Sequence, residues 1–183
     1  MLKSKLRKKL LKDRERNNKI NIQIDFNKLT KIYKTEKINK KIIGGYYPVN
    51  FEIDDLALLR KFERNRFIIS LPVIKKDFQM DFYKWTFSDP LKVNKFGMLE
   101  PILKREAIVP DTILVPLLAF DSNNNRLGYG KGFYDRFLNK FLKVKKKITT
   151  IGVAFSFQKY NKLPVSSLDV KLDYILTEKG LKK

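Results

Sequence analysis

The sequence predicts an α/β fold of three layers, a mostly parallel sheet with helices on both faces. Apolar runs of strand length alternate with stretches of helical period, and that alternation implies crossover connections and a covered sheet. The most polar, glycine-rich stretch lies between the strongest strand and the helix behind it, where open α/β sheets bind ligands. A chain of 183 residues, 43% hydrophobic, can bury one sizeable core, so residues 1–183 are expected to form a single domain.

Each element has its own warrant. Leu2, Leu6 and Leu10 recur every four residues among Lys and Arg, the stripe of an amphipathic helix running to about Arg16 with a basic outer face. Between Ile20 and Lys41, Ile22, Ile24, Phe26, Leu29, Ile32, Tyr33 and Ile38 permit a second helix. Ile42 to Tyr47 reads as a buried strand ended by Pro48. Ile53, Leu56, Ala57 and Leu59 then mark a helix whose first turn carries Glu52, Asp54 and Asp55, where the helix dipole favours negative charge.

Phe67 to Val73 is the next strand, and Met80 to Phe87 alternates in the manner of an edge or hairpin strand. Lys92 to Ile102, punctuated by Gly97 and Pro101, reads as a loop. Thr112 to Phe120 is the strongest central strand. Behind it, Asn123 to Gly132 is a polar loop, with Ser122 to Asn125 reading as a loose insertion, and Phe133, Phe137, Leu138, Phe141 and Leu142 restore helical spacing. Thr149 to Phe157 and Leu172 to Thr177 supply two final strands.

Composition narrows the chemistry. With no cysteine there is no disulfide, thiolate ligand or cysteine nucleophile, which fits a reducing cytoplasm. With no histidine there is no Ser-His-Asp triad, and any metal is a hard cation held by oxygen. The longest apolar run, Ile113 to Phe120, is far short of the roughly 20 residues of a membrane-spanning helix and contains Pro116. A charged N-terminus without an apolar stretch is unlike a signal peptide, so a soluble, cytoplasmic, monomeric protein without a membrane partner is expected.

The formal charge of +21 has two readings. Clustered cations bind nucleic acid or gather small anions. Here lysine is spread along the whole chain beside abundant Asn and Ile, the drift of an AT-rich genome, so nucleic acid is not the expected partner.

The stretch Arg126-Leu127-Gly128-Tyr129-Gly130-Lys131-Gly132-Phe133-Tyr134-Asp135-Arg136 carries most of the functional information. Alternating glycines let the backbone adopt positive φ and approach a ligand, so that successive N–H groups surround phosphate oxygens at a helix start. Arg126 and Lys131 add compensating charge. The spacing matches neither a P-loop nor a dinucleotide-binding fingerprint.

From Pro110-Asp111 through Leu114-Val115-Pro116-Leu117-Leu118-Ala119-Phe120-Asp121 to Arg136, the chain resembles the signature of the 5-formyltetrahydrofolate cyclo-ligase family. The resemblance extends to Lys3 and Arg7, Tyr47-Pro48, Glu52-Ile53, Gly97, Glu100-Pro101, Pro164-Val165 and Asp169 to Asp173. It implies a Rossmann-like architecture similar to sugar-phosphate isomerases and coenzyme A transferases. It also implies ATP-dependent closure of 5-formyltetrahydrofolate, possible in polyglutamated form, to 5,10-methenyltetrahydrofolate, with Mg²⁺ as cofactor.

By the same resemblance, Lys3, Arg7 and the loop from Arg126 to Tyr134 (Arg126, Leu127, Gly128, Tyr129, Gly130, Lys131, Gly132, Phe133, Tyr134) are expected to bind ATP. Arg126, Lys131 and Tyr134 act in catalysis, and Tyr47, Glu52 and Tyr129 bind the folate. Asp135 and Asp169 hold the metal, with Asp173 an alternative helper. Read without the family, Asp135 equally suits a helix dipole and Asp169 a loop. Tyr129 and Tyr134 are the favoured aromatic walls for pterin or adenine, ahead of Trp85 and Phe96.

Overall fold

The structure, a computed structural model, describes residues 3–17, 26–35, 41–102, 106–144 and 147–183. In chain order its first half contains α1 (Lys3–Asn17), α2 (Phe26–Thr35), β1 (Ile42–Gly44), α3 (Leu56–Arg64), β2 (Ile68–Ile74), β3 (Met80–Lys84), β4 (Leu91–Val93) and β5 (Leu99–Pro101). The second half contains β6 (Ala107–Ile108), β7 (Thr112–Pro116), β8 (Ala119–Phe120), β9 (Arg126–Leu127), α4 (Phe133–Lys143), β10 (Thr149–Val153), β11 (Tyr174–Thr177) and β12 (Gly180–Lys182). Leu2, Ile20, Ile22, Ile24 and Ile38, invoked for the first two helices, lie outside the described residues.

Eight strands form the main sheet in the order β12-β11-β10-β7-β1-β2-β3-β6. The five inner strands, β11 to β2, are parallel, and antiparallel strands close both edges. The alternation of side chains within β7 explains why both faces must be covered: Leu114 points into one apolar cluster, while Ile113 and Val115 point into another. The first cluster receives Leu29 and Ile32 of α2 with Leu58, Leu59 and Phe62 of α3, and the second receives Phe137 and Leu138 of α4. The expected three layers with a mostly parallel sheet are therefore present.

Chain direction then fixes where a ligand fits. From β1 the chain crosses by α3 to β2 on one side, whereas from β7 it crosses by α4 to β10 on the other. Parallel crossovers are right-handed, so opposite directions put α3 and α4 on opposite faces and leave a crevice beyond the carboxyl ends of β1 and β7. The loops leaving those two strands carry Tyr47 and Glu52 on one side and the glycine stretch on the other.

Several expected boundaries move. The strand from Ile42 to Tyr47 ends at Gly44, because the Gly45 N–H still reaches Ser70 O at 2.9 Å and the chain then turns to the Asp55 carboxylate, which accepts from Tyr46 N at 3.3 Å. The strand from Thr112 to Phe120 breaks after Pro116: Leu117 and Leu118 turn their carbonyls to Gln158 Nε2, and Ala119 and Phe120 pair instead with Arg126 and Leu127. Proline supplies no N–H to continue the ladder.

The expected loop from Lys92 to Ile102 is a β4–β5 hairpin whose tip is Gly97 at φ 75°. The strand from Thr149 to Phe157 stops at Val153, followed by a tight turn over Ser156–Gln158. The two-residue β6 and the C-terminal β12 are too short, or too polar, to be read from periodicity.

Candidate active site

Beyond β8, the carboxylate of Asp121 fixes the turn that sequence composition suggested was loose. Its Oδ1 accepts from Asn123 N at 2.9 Å and Asn125 N at 3.1 Å, and its Oδ2 from Asn125 Nδ2 at 3.0 Å. Burial opposes ionisation, but this set of donors outweighs it and holds the Asp121 carboxyl below its ordinary range. The loop therefore enters the site from a built turn.

Arg126 is almost fully buried: its Nη1 donates to Val170 O at 2.7 Å and its Nη2 to Asp135 Oδ1 at 2.8 Å. Gly130 and Gly132 both take positive φ, 96° and 67°, and Gly132 is the residue from which α4 begins. A side chain at Gly130 would have its Cβ 2.9 Å from the Arg7 guanidinium carbon, so this glycine makes room for an arginine delivered by α1. That arginine donates from Nε to Gly128 O at 2.8 Å, and one turn earlier Lys3 Nζ donates to Asp169 Oδ2 at 2.7 Å. A Cβ at Gly128 would meet open space, which marks the loop's free side.

Across the crevice lies a carboxylate of different character. Glu52 accepts from Val49 N through Oε2 at 2.9 Å and from the Tyr129 hydroxyl through Oε1 at 2.6 Å. Burial pushes its pKa above the ordinary carboxylate range, opposed by these two donors and by the Arg14 charge. Burial likewise raises the Tyr129 and Tyr134 phenols, aided by Glu52, so both remain O–H groups at neutral pH.

These groups face one cavity of about 410 Å³. Apart from Asp173, the residues singled out for ATP, folate, catalysis or metal line it: Lys3, Arg7, Tyr47, Glu52, the run from Arg126 to Asp135, and Asp169. Asp173 does not line it; its carboxylate accepts from Thr150 N and Oγ1 at 2.7 and 2.8 Å, a structural tie between strands.

Asp135 and Asp169 each commit one oxygen to a cation and to a backbone N–H, Val170 for the first and Ser166 for the second. At Asp169, burial opposes ionisation but the Lys3 ammonium and the Ser166 donors together outweigh it and hold the carboxyl low. Among the described residues no group of three or more acidic side chains gathers to cage an ion. That donor set fits Mg²⁺, which takes one or two carboxylates and completes its shell with phosphate oxygens and water.

Several lining residues were not foreseen. The β4–β5 hairpin contributes Asn94, Gly97 and Met98, and Phe96, ranked behind the tyrosines, lines the cavity with its ring 5.6 Å from that of Phe133. Trp85, also proposed as a wall, is instead in the core beside Phe87. Arg14 was missed, although the sequence held a signal: it continues the Leu6, Leu10 spacing, placing a cation where an apolar residue belongs.

A glycine loop at a helix start, basic side chains around it and a carboxylate opposite define an α/β enzyme scaffold with a two-ended cavity. The chain matches the 5-formyltetrahydrofolate cyclo-ligase family over residues 1–178 and belongs to it. It is 34% identical over 148 residues to 5-formyltetrahydrofolate cyclo-ligase of Haemophilus influenzae, covering 77% of this chain and 78% of that one. To the Mycoplasma genitalium cyclo-ligase it is 32% identical over 158 residues, covering 83% and 88%. The structure superposes on 5,10-methenyltetrahydrofolate synthetase of Aquifex aeolicus with a TM-score of 0.75 at 30% identity, covering 100% of this chain and 93% of the other.

Proposed function

We propose that the cavity holds ATP against the glycine loop and 5-formyltetrahydrofolate against Glu52, so that the γ-phosphate meets the formyl oxygen between them. The chain is an ATP-dependent cyclo-ligase that converts 5-formyltetrahydrofolate to 5,10-methenyltetrahydrofolate with release of ADP and phosphate. Formyl oxygen attack on the γ-phosphorus breaks the bond to ADP and turns a poor leaving oxygen into phosphate. The bridge amine then attacks the activated carbon, loses its proton, and phosphate departs.

Such chemistry needs positioning and charge rather than a strong base, which suits a chain without histidine. Gly128, Gly130 and Gly132 let the main chain approach the phosphates, with Lys3, Arg7, Arg126 and Lys131 supplying positive charge. Leu127 and Phe133 close the walls. Tyr134, kept protonated by burial and by Glu52, offers a neutral donor to the reacting oxygen. Asp135 and Asp169 would hold Mg²⁺, which neutralises phosphate charge when bound. Glu52 receives the donor edge of the pterin beside Tyr47 and Tyr129.

The observation that carries this reading is the pairing, in one cavity, of Arg7 seated on Gly130 with the half-buried Glu52 carboxylate across from it. The architecture is read as Rossmann-like, similar to sugar-phosphate isomerases and coenzyme A transferases. The chain acts as a cytoplasmic monomer, and its basic surface favours polyglutamated folates. Among the described residues no helix is long and apolar enough to cross a membrane. Protein mixed with ATP, Mg²⁺ and 5-formyltetrahydrofolate should form the methenyl product, followed by its ultraviolet absorbance, only with all three present. Folded protein that forms none refutes the reading.

A further inference from the structure

Arg14 is the largest side chain among the fully buried described residues, 1% exposed, and it comes from the last turn of a helix whose outer face is solvated. Burying a guanidinium is costly unless it is fully bonded. Here Nη1 donates to Leu117 O at 3.1 Å, Nη2 donates to the Tyr129 hydroxyl, and Nε has no partner. The guanidinium carbon also lies 5.6 Å from the centroid of the Tyr129 ring. A side chain this expensive, aimed at one phenol, requires an account beyond packing.

Hydrogen-bond direction supplies it. A phenol has one proton to give. Arg14 has no acceptor, so it occupies a lone pair of the Tyr129 oxygen, and the single O–H must go to Glu52 Oε1, 2.6 Å away. Glu52 Oε2 already accepts from Val49 N. Both carboxylate oxygens therefore meet donors only, an arrangement suited to the anion.

We propose that Arg14 is a positioning residue for folate binding: by donating to Tyr129 it fixes the phenol as a donor to Glu52, and so keeps Glu52 an oriented, ionised acceptor for the substrate. The inference rests on the reading of Glu52 as the folate carboxylate. Burial and the Asp55 carboxylate oppose the Glu52 charge, the Val49 N–H and Tyr129 O–H support it, and Tyr46 and Tyr134 share the site as neutral phenols. Arg14 is the cation that acts on it from α1.

The test is the pH dependence of the folate KM, measured with saturating ATP and Mg²⁺ for the wild-type chain, Arg14→Gln, Arg14→Lys and Tyr129→Phe. In Arg14→Gln the acid limb of kcat/KM for folate should move to higher pH and the folate KM at pH 7 should rise about tenfold, the loss of one hydrogen bond to a charged group. The ATP KM should stay within twofold. Arg14→Lys, which restores the charge, should return the limb toward wild type.

An Arg14→Gln enzyme that loses ATP and folate affinity equally, with the acid limb unmoved, would reduce Arg14 to a packing residue and overturn the proposal. Should Arg14→Gln not fold, Tyr129→Phe decides: the same upward shift supports the relay, and an unmoved limb refutes it. Absence of turnover in the wild-type chain would strike the proposed function instead, and equilibrium binding of folate, read by its quenching of protein fluorescence, would still compare the variants.

Discussion

Asp135, Asp169 and Glu52 line one cavity, Asp55 lies fully buried against Tyr46 of that lining, and the two pairs live under opposite conditions. Asp135 and Asp169 stand beside Arg126 and Lys3, partly exposed, each with a cation within hydrogen-bond distance. Glu52 and Asp55 sit deeper, and burial pushes both carboxyls upward, Asp55 well above its ordinary range. The contrast divides the site: one end pairs carboxylates with cations, and the other presents directed hydrogen-bond acceptors, which on the proposed reading suits a metal–triphosphate at the first and a flat, neutral ring at the second.

The sharpest way to break this division is Asp135→Ala. If that carboxylate serves the charged end, kcat should fall about 100-fold or more, the scale of losing a group that stabilises transferring charge, and the dependence of rate on Mg²⁺ concentration should weaken. Initial rates across a magnesium series read both. An unchanged magnesium response would leave Asp135 as a structural partner of Arg126 alone.

A smaller effect is expected at the other end. Glu52→Gln keeps the shape but turns an acceptor into a mixed group, so the folate KM should rise about tenfold, with kcat and the ATP KM within about threefold. Steady-state kinetics with each substrate varied in turn separates the two ends. Equal losses for ATP and folate would erase the division.

The smallest effect concerns stability. Asp55 is fully buried, with Oδ1 unpartnered and Tyr46 N donating to Oδ2. Its folded carboxyl holds its proton above the ordinary 3.8, so the unfolded chain ionises first. On this account stability falls as pH rises above about 3.8, until the folded group itself ionises. Asp169, with its carboxyl held low, has the opposite sign, losing stability as pH falls. Asp55→Asn should therefore raise Tm increasingly from pH 4 to pH 8, by about 2–4 °C for each kcal/mol recovered. A gain independent of pH would argue that Asp55 is ionised in the fold.

Much of this layout was legible beforehand where one residue type had one physical use. The glycine alternation from Gly128 to Gly132 predicted positive φ, which Gly130 and Gly132 take, while the seat that Gly130 makes for Arg7 was not foreseen. The apolar run at Thr112 predicted a central strand, but Pro116 hid its break, since a run of buried residues looks the same whether it stays in the sheet or leaves it for a hairpin. The β4–β5 hairpin escaped because three-residue strands carry too little alternation to distinguish from a loop. Arg14 escaped because pattern reading assigns charges to solvent, and only the fold brings Tyr129 of a loop more than a hundred residues away against it.

The claim on which the account stands is that main-chain amides of Gly128, Gly130 and Gly132 grip the nucleotide's phosphates. Amide chemical shifts of the ¹⁵N-labelled chain, recorded with and without a non-hydrolysable ATP analogue and Mg²⁺, test it directly. Large shifts are expected at these three glycines, with little change at Gly45 and Gly152 in the sheet region. Saturating nucleotide binding that leaves all three glycine amides unmoved would contradict it.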